Sequence, residues 1–181
     1  MKKRSLLIGI SGGIAAYKII ELIRLFKKNN IDIWTVSTKN ALKFITPLTL
    51  RTITGNPHFY DMFSEENIYS MPHISLATIA DIMLIAPATA NIIGKISNGI
   101  ADDLLSTLAL SFRGEIFIAP AMNNYMYLNP IVQENIAHIK KFDKYSIIEP
   151  EKGSLACGEE GVGRLAEINK IFEIIMNEFK K

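Results

Sequence analysis

Four segments of this chain carry residue types that could hold and transform a small molecule. The first is Gly9-Ile10-Ser11-Gly12-Gly13-Ile14-Ala15. Glycines let backbone approach an anion closely, and the start of a helix supplies free N–H groups. A dinucleotide fingerprint requires G-x-G-x-x-G, whereas the third glycine position here holds Ala15 or Ala16. Asp32 also comes early for an acid that holds a ribose. The turn therefore favours a mononucleotide phosphate over NAD, with a plain strand-to-helix turn as the simpler alternative.

The second segment is Pro87-Ala88-Thr89-Ala90-Asn91-Ile92-Ile93-Gly94-Lys95, followed by Gly99 to Leu105. Small residues at a strand end let a flat ring lie against backbone. Thr89 and Asn91 offer a hydroxyl and an amide to its polar edge, and Thr89 also suits a helix cap. Asp102-Asp103 could suggest a metal, but the sequence nearby offers neither a histidine nor a third carboxylate. A solvated or capping role is expected there, and no metal site.

The third segment is Pro120-Ala121-Met122-Asn123-Asn124-Tyr125-Met126-Tyr127-Leu128-Asn129-Pro130. Asn123 falls just past a strand end, where a side-chain amide can hold a carboxylate. Met122 and Met126, at i and i+4, suit a core. The fourth segment, Gly153 to Glu167, holds four glycines and the single cysteine, Cys157, between Ala156 and Gly158, with Arg164 following. Such a stretch suits a mobile flap that closes over a substrate and excludes water. A lone cysteine is usually structural; a glycine flap moves the balance toward function. His73 follows Met71-Pro72 in an expected loop, and His58 and His138 stand in bland polar or helical contexts.

The elements that must position these segments follow from hydrophobic patterning. Apolar or β-branched runs predict strands at Ser5–Ile10, Ile31–Ser37, Asp81–Ala86, Glu115–Ala119 and Tyr145–Ile148. Helical spacing predicts helices over Ile14–Lys28, Ala41–Ile45, Pro47–Ile53, Thr89–Ile96, Ala101–Phe112, Asn129–Lys141 and Asn169–Phe179. The stretch Asn56–Ser70 is polar and aromatic with weak periodicity, and Glu151–Glu167 has no period. Strand, glycine turn, helix, strand is a βαβ unit. The expectation is one α/β domain over residues 1–181, a doubly wound parallel sheet of Rossmann-like or flavodoxin-like type with helices on both faces. A flexible clamp is expected at about residues 151–167. Such sheets bind ligands beyond the carboxyl ends of their strands, where all the marked loops fall.

Composition excludes some function classes. The chain has 181 residues and a net charge of +2, and its basic residues are scattered rather than clustered as a nucleic-acid partner would need. The apolar run Leu6–Ile10 is too short for a signal peptide, and no run approaches the roughly 20 residues of a membrane span. One cysteine allows no internal disulfide, which fits a reducing compartment. A cytoplasmic protein is expected, with neither nucleic acid nor membrane as partner.

Taken in order, these segments resemble the homo-oligomeric flavin-containing Cys decarboxylase family, in its phosphopantothenoylcysteine decarboxylase branch. The similarity runs from about Leu6 to Glu167. The family's PXANXXXK-type loop reads PATANIIGK, its PAMNXXMXXNP reads PAMNNYMYLNP, and its clamp reads LACGEEGVGRLAE. Leu165 stands where methionine is common, a volume-conserving change. The resemblance implies FMN as cofactor, contacted by Ser11, Gly12, Gly13, Ile14, Thr38, Thr89, Ala90, Asn91 and Ala121. It implies His73, Asn123 and Cys157 as catalytic residues, and Asn123, Met126, Ala156 and Arg164 at the substrate. It further implies decarboxylation of 4′-phosphopantothenoylcysteine, a homotrimer or dodecamer, and a synthetase activity on another polypeptide. Peptidyl-cysteine decarboxylases of lantibiotic maturation share the flavin site but generally lack the cysteine-bearing clamp. Flavin prenyltransferases lack PAMN, and non-catalytic regulatory flavoprotein subunits carry acidic tails, unlike the short basic tail here.

Overall fold

A computed structural model describes residues 4–63, 72–154 and 160–181. Six strands form a parallel sheet: β1 (Ser5–Ile10), β2 (Asp32–Ser37), β3 (His58–Phe59), β4 (Ile82–Ala88), β5 (Glu115–Pro120) and β6 (Tyr145–Ile147). Their order is β3-β2-β1-β4-β5-β6. The chain winds outward from β1 in one direction, then crosses to β4 and winds outward in the other. That reversal leaves a crevice beyond the carboxyl ends of β1 and β4.

Alternation along the strands builds two cores. Leu6, Ile8 and Ile10 face one layer with Leu84, Ala86 and Phe117. Leu7, Met83, Ile85, Ile116 and Ile118 face the other. The first layer is covered by α1 (Ile19–Lys28), α2 (Pro47–Thr54) and α8 (Ile168–Glu178). The second is covered by α3 (Pro72–Ile79), α4 (Ala90–Ser97), α5 (Leu104–Ser111) and α7 (Pro130–Ile139). Helix α1 buries Ile19, Leu22, Ile23 and Phe26, one face at helical spacing. Each fully buried side chain of this size contributes roughly 1.5–3 kcal/mol. Chain ends of helices are specified locally. Thr46 caps α2 ahead of Pro47, and Gly55 closes it at φ +74. Asp103 and Ser106 form a capping box on α5. A short α6 (Asn124–Tyr127) follows β5.

Several elements depart from the sequence expectations. Ile14–Lys18 and Ala41–Lys43 are 3-10 turns rather than α-helix. Strand β4 continues through Pro87 to Ala88. His73 is the second residue of α3, not a loop residue. The weakly periodic stretch after Asn56 supplies β3, a two-residue edge strand. The aperiodic segment near the end holds an antiparallel pair, β7 (Glu151–Ser154) and β8 (Glu160–Arg164). Glycines at 161 and 163 hid β8, because a strand is expected to be β-branched. Among the described residues, no helix is long and apolar enough to cross a membrane.

His58 is more than the bland residue its sequence context suggests. It is buried, with Nδ1 at 2.9 Å from Thr35 Oγ1 and Nε2 at 2.9 Å from Ser37 Oγ. These bonds supplement the two backbone pairs that hold β3 to β2. Burial, with a smaller contribution from the charge of Arg51, pushes its pKa down to about 4. The imidazole is therefore neutral, donating through one nitrogen and accepting through the other. A histidine depressed in the folded state gives stability that is full above the unfolded value near 6.5 and is lost as pH falls toward 4. The size of that loss is about 3 kcal/mol. His58→Gln should be less stable than the parent at neutral pH, and its stability should fall less steeply across this window. Urea unfolding at several pH values measures both slopes; equal slopes would remove His58 from the acid response.

Candidate active site

A cavity of about 1060 Å³ opens beyond the carboxyl ends of β1, β2, β4 and β5. This lies at the upper end of the about 300–1,000 Å³ usual for a small-molecule cleft.

The end of β1 contributes Ser11, Gly12, Gly13 and Ile14 to its wall. Ser11 is 1% exposed. Its hydroxyl donates to the Pro87 carbonyl at 2.7 Å and accepts from Thr89 N–H at 2.9 Å. The side chain thus joins the ends of β1 and β4 instead of reaching outward. Gly12 is required by a neighbour, since a Cβ there would meet Asn40 Cβ at 2.5 Å. Gly13 differs: its added Cβ would make only an ordinary 3.5 Å contact with Thr89, and the space it leaves belongs to the cavity. From the end of β2, Thr38 lines the wall and accepts from Ala41 N–H at 3.3 Å.

Beyond β4, Thr89 and Asn91 face the cavity, while Ala90, the first residue of α4, does not line it. Thr89 occupies the N-cap position of α4 but its side chain makes no capping bond. Its hydroxyl stands 3.2 Å from Ser11 Oγ instead. The start of α4 therefore offers N–H groups and a positive dipole end to the cavity, a fit for a phosphate.

Beyond β5 come Ala121, Asn123 and Met126. Asn123 Oδ1 accepts from Tyr125 N–H at 2.8 Å, capping α6. Met122 packs against the second core as expected, but Met126 is 48% exposed and forms cavity wall. Arg164, at the end of β8, lines the cavity and pairs with Glu167. Ala156 and Cys157 lie outside the described residues.

Sequence patterning missed contributors from three parts of the chain. Lys95, the last residue of PATANIIGK, bonds Asp102 at 2.7 Å and Asp103 at 2.6 Å, and all three line the cavity. Burial opposes the lysine charge, but these two bonds outweigh it and hold Lys95 above its ordinary pKa. Lys95 likewise holds Asp102 below the usual carboxylate range. Asp102-Asp103 is thus a lysine partner as well as a cap. Among the described residues, no cluster of three or more potential metal ligands occurs. Lys18 and Tyr17 come from the 3-10 turn, and Tyr60 to Phe63 come from the chain after β3. The aromatic character of that last stretch was the only signal available.

An inner wall of neutral hydroxyls and backbone, an uncapped helix start and a crevice at the strand-order reversal define a doubly wound α/β protein with a mononucleotide-type site. The chain belongs to the flavoprotein family, whose model matches residues 1–180. It is 43% identical over 180 residues to the coenzyme A biosynthesis bifunctional protein CoaBC of Borreliella burgdorferi, covering 99% of this chain and 46% of that protein. The chain thus spans about half the length of such two-function relatives. It is 40% identical over 174 residues to the "Probable phosphopantothenoylcysteine decarboxylase" of Streptococcus mutans, covering 95% of this chain and 97% of that one. Among solved structures, a cysteine-to-serine mutant of PPC decarboxylase complexed with pantothenoylaminoethenethiol superposes with a TM-score of 0.89 at 29% identity, over 99% of this chain and 100% of the other. The FMN binding protein AtHal3 superposes with a TM-score of 0.85 at 30% identity, over 99% of this chain and 98% of the other.

The Ser11 clip generates a direct test. Ser11→Ala leaves the buried Pro87 carbonyl without its side-chain donor and the half-buried Thr89 N–H without its acceptor, at a cost of about 1–2 kcal/mol. Equilibrium urea unfolding should show that loss; a variant as stable as the parent would mean the two strand ends do not depend on this hydroxyl.

Proposed function

We propose that this chain is an FMN-dependent carboxy-lyase that converts 4′-phosphopantothenoylcysteine to 4′-phosphopantetheine in coenzyme A biosynthesis. The observation that carries this reading is the meeting, at one large cavity, of a phosphate-type cradle with the Asn123 loop and the glycine-rich hairpin. The named activities of full-length and two-function relatives support it.

Gly13, Ile14, Thr38, Thr89, Ala90, Asn91 and Ala121 would hold the FMN, Ala90 through the backbone of the α4 start, with Ser11 and Gly12 fixing the shape of the cradle. Bound FMN would supply a two-electron sink and source for a reaction that is redox-neutral overall. On the substrate, oxidation of the thiol to a thioaldehyde places the carboxylate β to C=S, and the electron pair freed by CO₂ loss becomes an enethiolate. Asn123 orients the carboxylate through a neutral amide; a cation there would stabilise the carboxylate and oppose its departure. His73 takes the thiol proton, its ordinary pKa lying near working pH. Cys157 delivers a proton to Cα of the enethiolate as it is reduced. Met126, Ala156 and Arg164 bound the substrate.

The same reading takes residues 1–181 as one domain, active in the cytoplasm as a homotrimer or a dodecamer. The phosphopantothenoylcysteine synthetase activity is then its metabolic partner.

Purified protein with FMN should release CO₂ from phosphopantothenoylcysteine and give the saturated thiol, read by mass spectrometry. No CO₂ from flavin-loaded protein would end this reading, and an enethiol as the parent product would favour a peptidyl-cysteine type of decarboxylase. Cys157→Ser should bind FMN and release CO₂ but stop at a product two hydrogens short. A serine hydroxyl is far less acidic than a thiol near pKa 8.5, so it is a poor proton donor. Saturated product at the parent rate would make Cys157 a bystander.

A further inference from the structure

The outgoing strand of the hairpin is fastened to the Asn123 loop by one backbone bond and by one unassigned side chain. Val162 N–H donates to Asn124 Oδ1 at 2.9 Å. Alongside, Met122 N–H donates to the Gly163 carbonyl at 2.9 Å. The closeness demands both flanking glycines. A Cβ at Gly161 would stand 2.6 Å from Asn124 Cγ and 2.7 Å from its Cβ and Oδ1. A Cβ at Gly163 would stand 2.5 Å from the Met122 carbonyl, and its φ of +128 favours glycine in any case. The base of the hairpin is fixed separately, by Ile148 and Leu165 in the first core. Asn124 thus holds β8 beyond that base.

Asn124 is the residue after Asn123 and the first of α6. The amide that grips β8 and the amide expected to orient the carboxylate are therefore on consecutive residues. Asn123 and Arg164 line the same cavity from the two sides of this junction.

We propose that Asn124 is a positioning residue that registers the hairpin against the carboxylate-binding loop, so that one bound substrate meets both. This rests on the decarboxylase reading. Asn123 acts while CO₂ leaves. Cys157, in the sequence between β7 and β8, acts afterwards. Breaking the junction should leave the first step and uncouple the second. Protonation and reduction would then fail on an enethiolate that has already lost CO₂.

The test compares Asn124→Ala with Asn124→Asp in flavin-loaded protein. Loss of one hydrogen bond should speed amide exchange at Val162 about tenfold in Asn124→Ala, with the protection of β1 and β4 unchanged. The same variant should shift its product from the saturated thiol to the species two hydrogens short. Asn124→Asp keeps an acceptor for Val162 N–H. It should keep the protection and the parent product ratio, while its added charge raises KM for the anionic substrate. Unchanged exchange at Val162 in Asn124→Ala would overturn the junction. Faster exchange with the parent product ratio would overturn its role in coupling. A parent that releases no CO₂ would sink the decarboxylase reading alone, and the exchange measurement would still judge the junction.

Discussion

The hydroxyl of Ser11 stands where the two halves of the sheet diverge, and it ties the chain beyond β1 to the end of β4. β1 leads into one βαβ half and β4 into the other, so no helix covers the crevice between their ends. A gap of this kind exposes backbone groups that a helix would otherwise shield. Ser11 uses its donor on the Pro87 carbonyl and its acceptor on Thr89 N–H, closing the floor of the crevice with one side chain. The consequence runs into α4. Because the Thr89 hydroxyl faces Ser11, it does not cap the helix, and the helix start is left to a ligand. The cradle exists because a structural bond has claimed the residue that would have filled it.

The rest of the wall is made by close approach rather than by large side chains. Gly12 admits Asn40, Gly163 admits the Met122 carbonyl, and Gly161 admits Asn124. Each brings a loop from a different strand against the next, so the loops position one another. Among the described residues, the buried polar side chains carry no charge: they are five hydroxyl residues beside Ser11 together with His58, which burial keeps neutral. Buried hydroxyls satisfied by backbone and imidazole cost little, whereas a buried unpaired charge would cost several kcal/mol.

The central strands were legible because they are buried on both faces and read as continuous apolar runs. The strand-end loops were legible because small residues and prolines punctuate those runs. What stayed hidden had a tertiary cause. β3 rests on two backbone pairs and on His58, a residue whose partners Thr35 and Ser37 lie more than 20 positions away in sequence. β8 contains glycines that no strand propensity favours, and only the loop it touches explains them. Asp102-Asp103 read as a cap, and Asp103 is one; its lysine partner sat within a quoted motif without a visible role. Gly12 and Gly13 look alike in sequence, yet one serves a protein contact and the other opens the cavity.

The distribution of charge around the cavity bears on the proposed chemistry. Decarboxylation is hindered by any group that stabilises the carboxylate more than the transition state in which its charge is moving onto sulfur. Among the described residues four cations line this cavity, Lys18, Lys39, Lys95 and Arg164, and the last three each have a carboxylate partner. Lys39 pairs with Asp61 at 3.3 Å, Lys95 with Asp102 and Asp103, and Arg164 with Glu167. The pairing reduces the field that Lys39, Lys95 and Arg164 project, and the exposed pairs are screened further by solvent. The nearest group expected at the carboxylate is the neutral amide of Asn123, whose oxygen is already committed to Tyr125 N–H. A bare lysine or arginine at that position would bind the substrate more tightly and hold the carboxylate in place. In the proposed reaction Asn123, held at the start of α6 by its own cap bond, would orient the carboxylate and let the charge leave.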